Sequence, residues 1–395
     1  MKGSHELTDF SHDLKTDELI KIRRDLHAIP ELALHETLTH TYLLQVLTAW
    51  QTERMMIKMI PEVPTAILVR LQGTDPQRTI GYRTDIDALP ITEETGLPFQ
   101  STLPGQMHAC GHDVHMTVAL GILRHFINHP PKDNLIFFFQ PAEEADYGGY
   151  RVYQAGAFEG EWRPDEFFAL HDDPARPAGQ IATRMGTLFA GTTEIHLTFT
   201  GQSGHAAYPQ LAQDALVAAS AFVMQVQTVV SRNVDPVRGG VVTIGSLHAG
   251  EVMNVIAGEA KLAGTIRAFR QSDILMMQQR VREIAEGVAQ TYGIKADLKL
   301  IQGGYMPVEN AAALTTDLIS FMTKDPTIDF ALAEPAMTGE DFGFLTQKFP
   351  GTMVWLGVND PKHTLHSAQL NPDEQALQPG VAAFVRYLEH RMSID

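Results

Sequence analysis

The chain has 395 residues, of which 44% are hydrophobic and 19% are charged, and its formal net charge at pH 7 is −17. This length predicts two domains with a sizeable core, and the composition is that of a globular protein rather than a disordered or fibrous one. The negative charge argues against a nucleic-acid partner, which needs a basic face, and against binding to anionic membrane surfaces.

Helical and strand patterns alternate through the first half of the chain. Apolar strands separated by helices are typical of a largely parallel sheet covered on both faces, so the predicted fold class is α/β with a mixed, largely parallel sheet. The predicted helices span 17–29 and 115–127, and the predicted strands span 66–71, 79–82, 134–139 and 167–170.

From residue 193 the order changes to strand, helix, strand, strand, helix, strand. This β-α-β-β-α-β order is the ferredoxin-like plan, and it predicts an inserted α+β domain over 191–302. A strand at 352–357 and a closing helix at 373–390 then resume the first pattern, so the first domain is predicted to be discontinuous, over 1–190 and 303–395. The predicted elements of the insert are strands 194–200, 240–247, 260–268 and 295–301 and helices 214–230 and 273–292.

The only cysteine of the chain, Cys110, lies two positions before His112 in the segment MHACGHDVH. In an extended chain, residues two apart face the same side, and Gly111 lets the backbone bend, so both side chains could face one metal ion. The alternative is that a lone buried thiol serves as a small hydrophobic side chain. One cysteine excludes an intrachain disulfide and fits a reducing compartment.

Polar side chains also follow three predicted strands. Glu143 and Glu144 follow strand 134–139, where open α/β sheets place their active sites. Because neighbouring side chains point in different directions, one carboxylate can bind metal while the other faces the water to be activated. His171 and His366 follow two further strands. Five candidate ligands from four segments suit two metal ions better than one: Cys110, His112, Glu144, His171 and His366.

Two aspartates compete for a supporting role. Asp85 follows strand 79–82 and could accept the second N–H of a ligand histidine, which would fix the tautomer of that histidine. Asp87 is the competing candidate, and a loop-capping aspartate is an equally good interpretation of either.

The segment HETLTH is dismissed as a zinc motif because His35 and His40 are five residues apart and therefore do not lie on the same helical face.

These motifs resemble the dinuclear-metal aminoacylase and carboxypeptidase superfamily, in its amidohydrolase branch. The segments CGHDVH, QPAEE, LHD, GQSGHAAYPQ and TGEDF and the late His366 follow the order of that family, with the ferredoxin-like insert between them. The resemblance implies two divalent metal ions, either zinc, manganese, cobalt or nickel. It implies metal ligands at the five candidates named above, a general base at Glu143 and a supporting role for Asp85.

The resemblance also implies roles for the insert, as a lid and as the domain that forms a homodimer or larger homo-oligomer. It offers His205 as an oxyanion donor that either subunit could supply, and Asn254 and Arg267 as candidates for binding the substrate carboxylate. His108 and His115 take supporting or structural roles. The acidic pair after His171, Asp172 and Asp173, is a candidate for meeting an ammonium group of the substrate.

Four longer segments resemble a narrower group, the deacetylases of N-acetyldiaminopimelate in bacterial lysine biosynthesis. They are GYRTDIDALPITEETGLPF, SRNVDPVRGGVVTIG, QGGYMPVEN and PAMTGEDFGFL. This implies a small-molecule N-acetyl amino acid as the substrate. The alternatives are a broader N-acyl-amino-acid amidohydrolase, such as an aminoacylase or a hippurate hydrolase, and a non-catalytic binding protein on the same scaffold. Neither a membrane span nor a signal peptide is predicted, and the expected location is the cytoplasm.

Overall fold

Eight buried or half-buried strands form a mixed sheet in the computed structural model, which describes residues 13–394. The sheet lies in a first unit that runs to Leu188 and resumes at Glu309–Glu334 and from Phe344 on. Its strands, in spatial order, are β1 (Met55–Met59), β2 (Ile67–Leu71), β4 (Asn134–Gln140), β3 (Thr79–Asp85), β5 (Glu166–Asp173), β16 (Gly351–Gly357), β6 (Ile181–Thr183) and β15 (Phe330–Leu332).

The four central strands β4, β3, β5 and β16 are parallel, while β1, β2 and β6 pair antiparallel to their neighbours on the inner side. The register aligns Asp85 of β3 with Gln140 of β4, and Trp355 of β16 with His171 of β5. The carboxyl ends of the parallel strands therefore meet at one edge, where open α/β sheets place their active sites. The predicted fold class, α/β with a mixed, largely parallel sheet, is confirmed.

Helix α3 (His112–Asn128) packs on the sheet and on two other helices of the first unit. It is buried along most of its length, which explains why its sequence is apolar on nearly every face. It begins at His112, three residues before the predicted start. The other helices of this unit are α1 (Thr16–His27), α2 (Thr37–Ala49), α4 (Gly148–Gln154), α8 (Ala312–Lys324) and α10 (Leu377–Ser393).

The second unit, Phe189–Val308 with Pro335–Gly343, has its own core and an antiparallel four-stranded sheet. The sheet order β10-β12-β8-β13, with two helical segments on the connections, is that of a ferredoxin-like fold. Its elements are β8 (Gly191–Thr200), β9 (Gly204–His205), α5 (Ala215–Val226), α6 (Thr228–Asn233), β10 (Val241–Ala249), β11 (Val255–Ile256), β12 (Glu259–Ala268), α7 (Gln271–Tyr292) and β13 (Lys295–Ile301).

Three short elements lie where the chain passes between the units, namely β7 (Gly186–Phe189), β14 (Val308–Asn310) and α9 (Phe342–Thr346). The predicted boundaries at 190 and 303 assign residues 303–308 and 335–343 to the first domain, whereas the fold groups both segments with the second unit. The reason is local packing: the backbone N–H of Thr192 donates to the carbonyl of Tyr305, and Ala190 bonds Ala336 in the same way.

The expectation about membrane spans needs one correction. Within the described residues, the stretch Ala215–Asn233 is long and apolar enough to cross a membrane, whereas the prediction from the sequence is that no such stretch occurs. This stretch comprises α5 and α6, and Ala218, Phe222 and Val226 lie in the core of the second unit. A core helix passes the same test of length and composition, so the finding is weak support for a span. The prediction that the chain has no signal peptide concerns its N-terminal residues, of which 1–12 lie outside the described part of the chain.

Candidate metal centre

The candidate ligands of the first unit come together at the carboxyl edge of the parallel strands. One donor atom each from Cys110, His112 and His171 lie within 4.8 Å of one another, and the same holds for Cys110, Glu144 and His366. The two groups share Cys110, so the five predicted ligands form one continuous cluster. The sequence had assigned them to four separate segments, and the structure brings all of these segments to one place.

Cys110 and His112 are brought side by side by a turn rather than by extended chain. Gly111 has a left-handed φ of 74° and caps α3, whose first residue is His112. A Cβ atom at position 111 would lie 2.4 Å from Oδ2 of Asp172, so glycine is required both by its conformation and by its neighbour. The sulfur of Cys110 lies 3.5 Å from Nε2 of His171.

The two buried histidines of the cluster are held in the same orientation. The Nδ1–H of His112 donates to the carbonyl of Asp87 at 2.9 Å, and the Nδ1–H of His171 donates to the carbonyl of Asp172 at 2.9 Å. A proton on Nδ1 leaves the lone pair on Nε2. Both Nε2 atoms point into the cluster, which is the arrangement that metal-binding histidines usually have.

The turn that carries Glu143 and Glu144 has a strained backbone. Ala142 has a φ of 58°, in the left-handed region, and its N–H donates to Oε1 of Glu36 at 2.9 Å. Such a conformation costs roughly 1–3 kcal/mol and persists only when its surroundings enforce it. Burial, and secondly the negative charge of Asp87, raises the pKa of Glu36 to about 7. Sequence reasoning missed Glu36, which lies inside the dismissed HETLTH segment.

His366 reaches the cluster from a loop after β16. Its φ of 67° is also left-handed, its backbone N–H donates to the carbonyl of Ala109 at 2.7 Å, and its Nε2 lies 3.5 Å from Oε1 of Glu144. About half of its side chain is exposed, unlike those of the buried ligands. The cluster thus meets solvent near His366.

The aspartates divide the supporting roles differently from the expectation. Asp85 accepts from Arg83 at 2.7 Å and from Nδ1 of His115 at 2.6 Å, while the second nitrogen of His112 faces Asp87. Asp87 also accepts the backbone N–H of Glu144 at 2.9 Å. The geometry therefore gives the histidine-orienting role at His112 to the competing candidate, Asp87, and leaves Asp85 to hold His115.

The acidic pair after His171 does not form the ammonium site that the sequence suggested. Asp172 is fully buried, its Oδ1 lies 3.1 Å from Nε2 of His115, and its backbone N–H lies 2.9 Å from the same nitrogen. Asp173 is occupied by an ion pair with Arg176 at 2.8 Å. His115 is held from both ring nitrogens, which agrees with a supporting role.

The charges of the cluster are unbalanced in a way that a cation would correct. Asp85, Asp87, Asp172 and Glu143 are all buried. Burial lowers the pKa of His112, but the charges of Asp85 and Asp87 outweigh it and raise the pKa to about 10. Burial, followed by the charges of Glu144 and Asp172, raises the pKa of Cys110 well above its ordinary value.

Two facing atoms of the cluster, Nε2 of His112 and Oε1 of Glu144, lie 3.8 Å apart. Both are buried, and neither has a hydrogen-bond partner among the described residues. Buried polar atoms are normally satisfied, so a pair without partners indicates a missing ligand between them. Together with nitrogen, sulfur and oxygen donors in one place, these atoms fit divalent metal ions of the zinc class.

The remaining predicted residues lie in the second unit. His205 and Asn254 are close to each other because β9 pairs with β11, opposing His205 to Val255. Arg267 is on β12, and its guanidinium donates to the carbonyl of Met337 at 2.7 Å. Their predicted contact with substrate stays a prediction. His108, in the first unit, is buried, and burial lowers its pKa to about 3, which fits a structural role.

Comparison with known proteins agrees with the resemblance seen in the motifs. Residues 81–390 match peptidase family M20/M25/M40. A protein of Lactobacillus helveticus named N-acetyldiaminopimelate deacetylase is 57% identical, over 96% of this chain and 99% of that one. One of the same name from Lacticaseibacillus casei is 58% identical over the same shares. A dinuclear metal binding peptidase of the M20 family from Bacillus subtilis has a crystal structure with a TM-score of 0.82 and 30% identity, over 96% of this chain and 98% of that one. The predicted family is confirmed, and the chain belongs to peptidase family M20/M25/M40.

Proposed function

We propose that this chain is a metal-dependent amidohydrolase that converts N-acetyl-L,L-diaminopimelate to L,L-diaminopimelate and acetate, as lysine biosynthesis requires. The observation that carries the reaction class is a buried carboxylate, Glu143, beside a cluster of metal-type donors. The substrate is supported by relatives 57% and 58% identical over nearly their whole length, whose name states this activity.

The proposed ligands of two divalent ions are Cys110, His112, Glu144, His171 and His366. Support comes from the two donor groups that overlap at Cys110 and from the Bacillus subtilis relative, which is described as dinuclear. When bound, such ions polarise an amide carbonyl and make a water molecule more acidic. Cysteine and imidazole suit zinc, and the carboxylate ligand tolerates manganese, cobalt or nickel.

Glu143 is the proposed general base. One of its carboxylate oxygens lies 4.0 Å from Nε2 of His112, so the carboxylate lies at the wall of the cluster rather than in its middle. In the proposed reaction Glu143 takes a proton from the attacking water while the water oxygen bonds to the amide carbon. It then gives this proton to the amine nitrogen as the C–N bond breaks, and acetate leaves.

Replacing Glu143 by glutamine tests the base. The glutamine amide cannot accept a proton, so we expect kcat to fall at least about 100-fold while the metal content stays unchanged. Steady-state kinetics and elemental analysis measure the two quantities. Asp146→Asn, an exposed carboxylate in the same turn, is the matched control and should retain activity. Wild-type turnover in Glu143→Gln would remove the base assignment.

Replacing Cys110 by alanine tests the shared ligand. Because a thiolate is lost from both donor groups, we expect the metal content after dialysis to fall by about one ion per chain. Met107→Leu is the control, since it changes a buried side chain of the same segment with little change in volume. A metal content equal to that of the wild type would make the thiol a bystander.

A comparison of two substrates tests the specificity. N-acetyl-L,L-diaminopimelate carries an ammonium and a second carboxylate, both absent from benzoylglycine, that additional contacts can use, so kcat/KM on it should exceed that on benzoylglycine at least about tenfold. Both reactions are followed by the release of free amine from the metal-loaded enzyme. If benzoylglycine is the better substrate, the chain is the broader N-acyl-amino-acid amidohydrolase instead.

The second unit is the proposed lid and dimerisation domain, with His205, Asn254 and Arg267 as substrate-binding residues. Apolar side chains exposed on it support an interface, and the most exposed are Met224, Val237 and Met253. We expect sedimentation equilibrium to give twice the 43.6 kDa of one chain, or a larger multiple, and a monomer at micromolar concentration would contradict the assignment.

A cytoplasmic location belongs to the same proposal because a thiolate ligand needs a reducing compartment, and cell fractionation measures the location.

A further inference from the structure

A second cluster of histidines and carboxylates lies in the first unit, at the C-terminal end of α3. It consists of Asp13 before α1, His125 and His129 at the end of α3, and Glu389 on α10. His125 and His129 are four residues apart, which places them on one helical face, and their rings stack with centroids 4.6 Å apart. These residues are separate from the cluster that carries the proposed chemistry.

The donor atoms converge on the carboxylate of Asp13. Its Oδ2 lies 2.5 Å from Nδ1 of His125, and its Oδ1 lies 3.6 Å from Nε2 of His129. One donor atom from each of the three residues lies within 4.8 Å of the other two. Two imidazole nitrogens and a carboxylate oxygen form a donor set that zinc takes in proteins.

The surroundings hold these donors in the orientation that an ion requires. Oε1 of Glu389 lies 3.3 Å from Nε2 of His125, so it can accept a hydrogen bond from an Nε2–H and favour the tautomer whose lone pair is on Nδ1, the nitrogen that faces Asp13. The side-chain amide of Asn128 donates to Oδ1 of Asp13 at 3.0 Å. Asp13 and His125 are buried, whereas 42% of the His129 side chain is exposed, which leaves one side open to solvent.

We propose that Asp13, His125 and His129 form a divalent-metal site of the zinc class, with Glu389 orienting His125 from outside. The ion would tie the segment before α1 to α3 and, through Glu389, to α10. Its role is to stabilise the first unit, because within residues 13–394 the cluster offers no further carboxylate that could act as a base toward a bound water.

A proton is the rival occupant of this cluster. Burial lowers the pKa of His125, but hydrogen bonds with Glu389 and Asp13 outweigh it and raise the pKa above its ordinary value. A doubly protonated His125 would make the same two contacts without an ion. A measurement of bound zinc distinguishes the two occupants, because only a metal site binds a zinc ion that depends on His129.

The experiment compares bound zinc in the wild type and in His129→Gln. Both proteins, with their catalytic metals loaded, are equilibrated with Zn²⁺ at neutral pH, desalted and subjected to elemental analysis. We expect the wild type to hold about one more zinc ion per chain than the variant, while both hydrolyse the acetylated substrate at the same rate. His196→Gln is the matched control, a half-exposed histidine paired with Glu194 at 2.9 Å, and it should keep the wild-type zinc content.

Two further readouts separate a built site from a loose one. Glu389→Gln keeps all three donors but loses the orienting carboxylate, so its zinc affinity by calorimetric titration should fall about 10- to 100-fold. Added zinc should raise the thermal midpoint of the wild type and not that of His129→Gln. Equal zinc contents in the wild type and His129→Gln, or equal thermal shifts, would overturn the proposal and leave the proton as occupant.

Discussion

Buried negative charge at one edge of a parallel sheet is the constraint on which the first unit depends. Asp85, Asp87 and Asp172 are fully buried. Each lies within a few ångströms of a basic side chain, namely Arg83, His112 and His115 respectively. Such carboxylates are costly to bury unless they are paired and hydrogen-bonded. Burial raises the pKa of Asp85, yet the charges of His112 and His115 outweigh it and hold the pKa well below its ordinary value. Asp85 therefore keeps its negative charge, and positive groups are needed around it.

The protein meets this need from inside the same sheet edge. Arg83, two residues before Asp85 on β3, is fully buried and donates both to Asp85 at 2.7 Å and to the side chain of Gln140 at 3.0 Å. His115 is clamped between Asp85 and Asp172. Arg83 and His115 thus bind carboxylate oxygens of Asp85 and Asp172, whereas the donor atoms of the proposed metal ligands face one another. A divalent cation among the donor atoms of the proposed ligands would supply positive charge where Arg83 and His115 do not reach.

Backbone strain is concentrated in the two loops that complete the cluster. Ala142 and His366 both have left-handed φ values, a conformation that residues with a Cβ rarely adopt. Each strained residue is pinned by a hydrogen bond of its own N–H, to Glu36 and to the carbonyl of Ala109 respectively. Precise placement of functional side chains requires such support from neighbouring groups. Glu36 thus acts on Glu143 and Glu144 through the turn and not by contact with the cluster.

The sequence predicted those parts of the fold whose signal is local. The central strands β3, β4, β5 and β16 are short apolar runs, and the order of elements in the second unit follows from its periodicity, so both were found. Glu144, His171 and His366 were singled out as candidate ligands because they follow such strands, and Cys110 and His112 because of their spacing. Helix α2 was missed, since only Thr39, Leu43 and Leu47 of its 13 residues are buried and the apolar residues between them blur the period.

What the sequence did not reveal are interactions between distant residues. Glu36 meets Ala142 across 106 positions, and Asp172 meets His115 across 57, and neither pairing leaves a pattern in the chain. Asp172 was read as a substrate contact because an acidic residue after a ligand histidine has the same appearance whether it faces the pocket or the core. The pair His125 and His129 does have a local signal, the four-residue spacing. It went unrecognised because the predicted helix ended at residue 127, two residues before His129, which directly follows the last residue of α3.

Both clusters of the first unit combine imidazole and carboxylate donors, the first adds the thiol of Cys110, and the two differ in what surrounds the donors. At the sheet edge, one buried carboxylate, Glu143, is not among the proposed ligands and lies 4.0 Å from His112. At the end of α3, the described carboxylates are Asp13, which is a proposed ligand, and Glu389, which orients His125. A hydrolytic centre needs a proton acceptor that does not bind the metal, because the attacking water has to lose a proton. On the proposed assignments, a carboxylate outside the ligand set, rather than the metal-type donors themselves, distinguishes the site for chemistry from the site for stability.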